Sequence, residues 1–221
     1  MSNKSTQKHH VLMGDVTGSS KRRAADVAQS IEDATKKVNS VFEEQILSPL
    51  TVTLGDEFQG VIASASATFE IIKLLQDRIF AQNLPPLHFS WVYGNIDTPI
   101  NPEIAHGMLG PALTTARKNL TRKDRDRPDI QVDLSDGDTT SILQNTLFAR
   151  DEISSRWKQK DAGLIKDFKK EIEVKYIAER HDRDTSSIYR RRETLMIDAY
   201  LALTQAASAA AHKFDVETGH I

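Results

Sequence analysis

The chain has 221 residues, 39% hydrophobic and 27% charged, with a formal net charge of −2 at pH 7. That is enough apolar material for a buried core, and the near-neutral balance excludes a protein uniformly coated in nucleic acid. The lack of cysteine excludes disulfides and thiolate zinc sites and points to a reducing, cytoplasmic setting. No run of about 18 apolar residues exists, so no spanning helix and no membrane partner are expected, and residues 1–10 lack the apolar stretch of an export signal.

Residues 11–16 form a short apolar run that ends in Thr17, Gly18, Ser19 and Ser20, the composition of a buried strand entering a tight loop. From 21 to 47, apolar residues recur at Ala24, Val27, Ile31, Ala34, Val38 and Phe42, which predicts an amphipathic helix closed by Pro49. Residues 51–55 and 58–63 read as a hairpin with Asp56 and Glu57 at its tip. A second helix follows over 64–80, then a strand over 87–93 behind Pro85 and Pro86. The order βαββαβ predicts an α+β, ferredoxin-like antiparallel sheet with its helices on one face. A helix over 111–120 and a strand over 129–134 complete this domain, set at 9–137. The mixed-charge run 121–128 reads as a solvated loop.

Asp15 ends the first strand and Asp56 tips the hairpin, and this topology can bring both to one sheet edge. Paired carboxylates there are a hard-oxygen site suited to Mg²⁺ beside phosphates. The loop at Thr17, Gly18, Ser19 and Ser20 opens onto a helix, so its N–H groups could face an anion, with Lys21, Arg22 and Arg23 adding positive field. An Asp at either place is also ordinary cap or turn chemistry. The repeated dipeptide, Gly14 with Asp15 and Gly55 with Asp56, is what favours function.

These residues resemble the two metal-binding loops of class III nucleotide cyclases, through Gly14–Ser20 and Gly55–Gly60. The closer resemblance, through residues 53–60, 94–97, Asn101, Pro102 and 110–117, is to the SatD family. The family resemblance implies a nucleotide-cyclase-like domain joined to a C-terminal helix-turn-helix. It places Asp15 and Asp56 on the metal carboxylates, Val16 on the residue lending a carbonyl, and Arg117 on the arginine that stabilises the transition state. Thr17, Gly18, Ser19, Ser20, Arg22 and Arg117 are then the expected nucleotide contacts. Four residues before that arginine, active cyclases carry an asparagine. This chain has Leu113, which cannot donate, so whether it is an enzyme stays open.

Helices are expected over 141–148 and 151–168, with Trp157, Leu164, Ile165 and Phe168 as core, and a plain C-terminal helix over the Ala-rich stretch 206–211. Lys and Arg are dense from Arg150 to Arg192. Residues 173–192 read as helix, turn and second helix, with Ile177, Ala178 and Ile188 inward, Asp182 in the turn and Asp184 as cap. Thr185, Ser186, Ser187, Tyr189, Arg190 and Arg191 are the expected DNA contacts. The helical domain is set at 138–210. The expected whole is a nucleotide-sensing, DNA-binding regulator that dimerises. A weakly active nucleotidyl cyclase or transferase and a scaffold with a degenerate site remain the alternatives.

Overall fold

The computed structural model describes residues 7–16, 24–55, 57–121 and 128–220. In chain order the elements are β1 (Lys8–Val16), α1 (Ala24–Val41), β2 (Ile46–Leu54), β3 (Glu57–Ile62), α2 (Ala65–Ala81), β4 (Leu87–Asn95), α3 (Pro111–Thr121) and β5 (Ile130–Asp133). Five helices follow: α4 (Gly137–Ser154), α5 (Ala162–Lys169), α6 (Val174–Arg180), α7 (Thr185–Thr194) and α8 (Ile197–Thr218). The expected α+β class is what the chain forms.

The sheet order is β2-β3-β1-β4-β5. β1 lies between β3 and β4 and runs antiparallel to both, with Val11 opposite Val61 and Val92. β1 is buried on both sides because its alternate residues serve two cores. Leu12 and Val16 join Phe58, Phe89 and Trp91 under α1 and α2, while Val11 and Met13 join Val61 and Val92 under α3. The expectation of helices on one face is thus corrected: α3 covers the second face through Ala112, Leu113, Ala116 and Leu120. The sheet is also mixed, since β5 pairs with β4 in parallel.

Three local expectations need revision. Residues 46–47 belong to β2, and Pro49 sits within that strand instead of ending a helix. β2 is an edge strand with irregular register around Ser48 and Thr51, the place a sheet tolerates a residue with no N–H to donate. α4 runs unbroken through Arg150 and Asp151, where a boundary was expected; the break comes at 155–158. The two charged residues sit inside the helix because they pair with each other in the interior, Arg150 Nη2 donating to Asp151 at 2.7 Å and to Gln76 at 2.7 Å. And α8 is far longer than the Ala-rich stretch that announced it.

Helix α8 ties the C-terminal helices to the sheet. Its Ala207, Ala211 and Phe214 lie in the same buried cluster as Leu143 and Leu147 of α4 and the α1/α2 side of the sheet. Small alanines let the helices approach closely. Asp215 of α8 accepts from the N–H groups of Ala65 (2.6 Å) and Ser66 (2.8 Å), so it satisfies two otherwise orphaned donors at the start of α2. A separate core of Trp157, Leu164, Ile165, Phe168, Ile177, Ala178, Ile188 and Tyr200 holds α5, α6 and α7 together, and it contains the four residues expected of it.

Candidate functional site

At the end of β1, Asp15 follows Val11 and Met13 on the α3 face and is half-buried. Its register partner on β4 is His88, whose Nδ1 lies 3.2 Å from Asp129. On the other side, Gly14 faces Phe58, and β3 begins one residue earlier at Glu57. Arg117 reaches down from α3 to this end: its Nη2 is 2.8 Å from Glu57 and 3.4 Å from the Gln59 side-chain oxygen. Gln59 in turn donates to the Ala105 carbonyl, and Asn119 of α3 donates to Ser90 of β4. The α3 face therefore turns from apolar to charged toward one end of the sheet.

Of the expected metal and nucleotide residues, Asp56, Thr17, Gly18, Ser19, Ser20 and Arg22 lie outside the described residues. Val16 packs its side chain into the α1/α2 core. Arg117 is on the same face as Asp15 and is 43% exposed, held by Glu57. Glu57 and Gln59 lie within the matched stretch 55–60 but were given no role there. Strand alternation could have found them, since Glu57, Gln59 and Val61 share one face and Phe58, Gly60 and Ile62 the other. Leu113, in the position where a cyclase needs a donor, is buried in the α3 core, and neighbouring Thr114 turns its hydroxyl back to the Gly110 carbonyl.

The two glycines of the repeated dipeptide have structural reasons of their own. A Cβ on Gly14 would lie 2.3 Å from the Phe58 ring, and Gly55 turns the hairpin with φ +62. The repetition is therefore weaker support for a phosphate site than the residues themselves.

The second candidate is α6–α7. His181 to Asp184 form the turn, Asp182 takes a left-handed φ of 49, and the Asp184 carboxylate accepts from the Ser187 N–H at 2.8 Å, capping α7. Ile177 and Ile188 are fully buried and Ala178 nearly so. Ser186, Tyr189 and Arg190 follow at i, i+3 and i+4, so they share one outward face, opposite Ile188, and Thr185 is exposed beside them. Ser187 is half-buried. Arg191 does not join that face. It is bonded through Nε (2.9 Å) and Nη2 to the buried Asp161, while Arg192 pairs with Asp198 at 2.6 Å.

A third cluster, His10, Asp215 and His220, has the spacing of a metal centre, but its chemistry is wrong. Trp91 Nε1–H donates to His10 Nδ1 at 3.1 Å, and an indole nitrogen can only donate. The neutral ring then carries its own proton on Nε2, leaving no lone pair there for a cation. Both Asp215 oxygens already serve α2. Burial, with His220 adding repulsion, pushes the His10 pKa down to about 3, so the ring stays neutral. This is a structural knot between β1, β4 and α8.

The fold and its charged sheet end define an α+β protein with a five-stranded sheet and an appended helical unit. The chain belongs to the SatD family, whose model matches residues 10–210. Among solved structures, one of the guanylyl cyclase Cya2 aligns at 11% identity over 51% of this chain and 68% of that chain, with a TM-score of 0.36. A likeness that faint carries no argument about the site. No curated protein matches. Among the described residues no helix is long and apolar enough to cross a membrane.

Proposed function

We propose that this protein is a DNA-binding regulator whose α6, turn and α7 act as a helix-turn-helix, and whose nucleotide-cyclase-like sheet end senses a nucleotide with Mg²⁺. The observation that carries the reading is the outward row Ser186, Tyr189 and Arg190 on a helix capped by Asp184 and anchored by the buried Ile188. A recognition helix needs this division: one side packed, the other offering hydroxyls and a guanidinium near its start. Lys175 of α6 and Arg183 of the turn are exposed nearby and add phosphate-directed charge, and the exposed Tyr176 adds a hydroxyl. Glu193 falls on the same side of α7 one turn later, which confines the reading surface to the helix start. Arg191 stabilises the module instead of touching DNA. The regulator would bind as a dimer, as two-fold operators require of such modules.

For the sheet end, support comes from Asp15 and Arg117 on one face. Mg²⁺ would be held by hard oxygens, Asp15 with Asp56, and the bound nucleotide would meet Arg117 once Glu57 releases it. Sensing is favoured over a nucleotidyl cyclase or transferase because Leu113 is packed into the core and cannot donate in a transition state.

Selection of bound duplexes from a random pool, followed by titration at two salt concentrations, tests the first part. An enriched sequence and a salt-dependent affinity are expected. No enrichment and no salt dependence would reduce α6–α7 to a structural element. Thermal melting with each nucleoside triphosphate and Mg²⁺ tests the second: one nucleotide should raise Tm in the wild type and lose that effect in Asp15→Asn. Cyclic or linear products, released with pyrophosphate, would establish the enzyme reading in its place.

A further inference from the structure

Where α2, the start of β4, α4, α5 and α8 meet, a cavity of about 230 Å³ opens between the sheet unit and the helices that carry α7. One part of its wall is apolar, built from Ile79, Phe80 and Leu87 with the rings of Trp157 and Tyr200. The polar part carries three carboxylates, each with a partner: Asp77 with Lys169, Asp151 with Arg150, and Asp129 with His88. Arg150, which pairs with Asp151, is wholly buried and does not line the space.

Lys169 shows what this wall recognises. Its Nζ sits 5.0 Å from the Trp157 ring centroid and 4.7 Å from that of Tyr200, and it donates to Asp77 at 2.5 Å. Two aromatic faces and a carboxylate around an ammonium are the usual means of binding an organic cation. Here a flexible side chain of the protein supplies the ammonium. The rest of the cavity is open beside it and has room for a ring with a short arm, since about 150 Å³ already accommodates benzene.

We infer that this cavity is a binding site for a small aromatic amine, whose ring lies against Phe80, Ile79 and Leu87 and whose cationic nitrogen displaces Lys169 from Trp157, Tyr200 and Asp77. Lys169 acts as a tethered competitor that keeps the aromatic faces covered when no ligand is present. The hydroxyls of Ser154 and Ser155 give further acceptors for the ligand's N–H groups. An aromatic carboxylate that displaced Lys169 would leave Asp77 facing a like charge, and is refused. The site is independent of whether α7 reads DNA.

The test uses the full chain and calorimetry with benzamidine, 2-phenylethylamine and 1-naphthylmethylamine, against phenylacetate and benzyl alcohol as anionic and neutral comparators. At least one amine should bind saturably with Kd below about 1 mM and raise Tm, and phenylacetate should not. Lys169→Met should tighten that amine about tenfold by removing the competitor, and adding Asp77→Asn to Lys169→Met should weaken it again by a similar factor, because the amine then has no tethered rival for that carboxylate. Asp77 is half exposed, and with Lys169 already replaced its loss orphans no buried charge, so this second change leaves folding intact. Saturable binding with no response to either substitution would overturn the assignment. So would equal binding of phenylacetate, or failure of all three amines to bind.

Discussion

The arginines of the sheet end and those of α7 occupy similar settings on a helix over a core, yet they are held differently. Arg117 is steered by Glu57 onto the sheet and stays partly exposed. On α7 the run divides: Arg191 is clamped by buried Asp161, Arg192 by Asp198, and Arg190 has no ion pair among the described residues. Three consecutive arginines therefore do two jobs. Charge committed to a partner inside the chain fixes shape, and only uncommitted charge is available to a ligand. Basic density along a sequence overstates the second.

Separating Arg190 from Arg191 tests that distinction most severely. Arg191→Ala should cost about 3 kcal/mol in urea denaturation, because it leaves the carboxylate of Asp161 buried and unpaired. Its effect on duplex affinity should follow only from that lost stability. Arg190→Ala should leave the urea midpoint unchanged and weaken duplex binding about tenfold, with the salt slope falling by about one unit. Equal behaviour of the two variants would erase the difference between them.

A smaller and pH-dependent effect is expected from the knot at His10. The ring's pKa is about 3 in the fold against 6.5 in the unfolded chain. Above pH 6.5 the group is neutral in both states and contributes no pH dependence. Below that, the unfolded chain takes a proton that the folded one refuses, so stability falls by about 1.4 kcal/mol per pH unit until pH nears 3. In His10→Asn, whose side-chain oxygen can still accept from Trp91, this part of the slope should vanish when urea midpoints are measured from pH 7 to pH 4. An unchanged slope would show that His10 is protonated in the fold.

The smallest change is expected at the sheet end. Glu57→Gln removes the charge that holds Arg117, and because Arg117 is 43% exposed the loss should be no more than about 1 kcal/mol. If Glu57 masks Arg117 from a nucleotide, the same variant should bind the nucleotide that stabilises the wild type more tightly, as read by thermal melting. Weaker binding would make Glu57 part of the site.

Much of this architecture is legible from periodicity. The βαββα order, α3, the turn at Asp182 and the cap at Asp184 follow from alternation, helical spacing and turn chemistry that depend on neighbours in sequence. What was not legible depends on partners far along the chain. Pro49 fits β2 only because that strand is an edge, and strand order is not written locally. Arg150 and Asp151 look like a helix boundary until Gln76 closes around them, 74 residues away in the case of Arg150. The parallel pairing of β5 and the second layer formed by α3 are likewise global choices. At the site, Asp15 was legible from the paired aspartates and Arg117 from the resemblance, whereas Glu57, which holds Arg117, lay inside the matched stretch 55–60 without a role. Leu113 could be read as a missing donor, but its burial in the α3 core could not.

Asp215 closes the start of α2 from 150 residues downstream of Ala65, and Ala207, Ala211 and Phe214 of the same helix fill the core over the sheet. During synthesis the sheet with α1, α2 and α3, complete at Asp133, emerges well before α8, which packs on α2 and α4. At roughly 5–20 residues per second the ribosome needs about 10 s to make that cover. For that interval the nascent chain presents the apolar side of α2 bare to solvent, a substrate for a chaperone or for a neighbouring nascent chain before it is a finished protein.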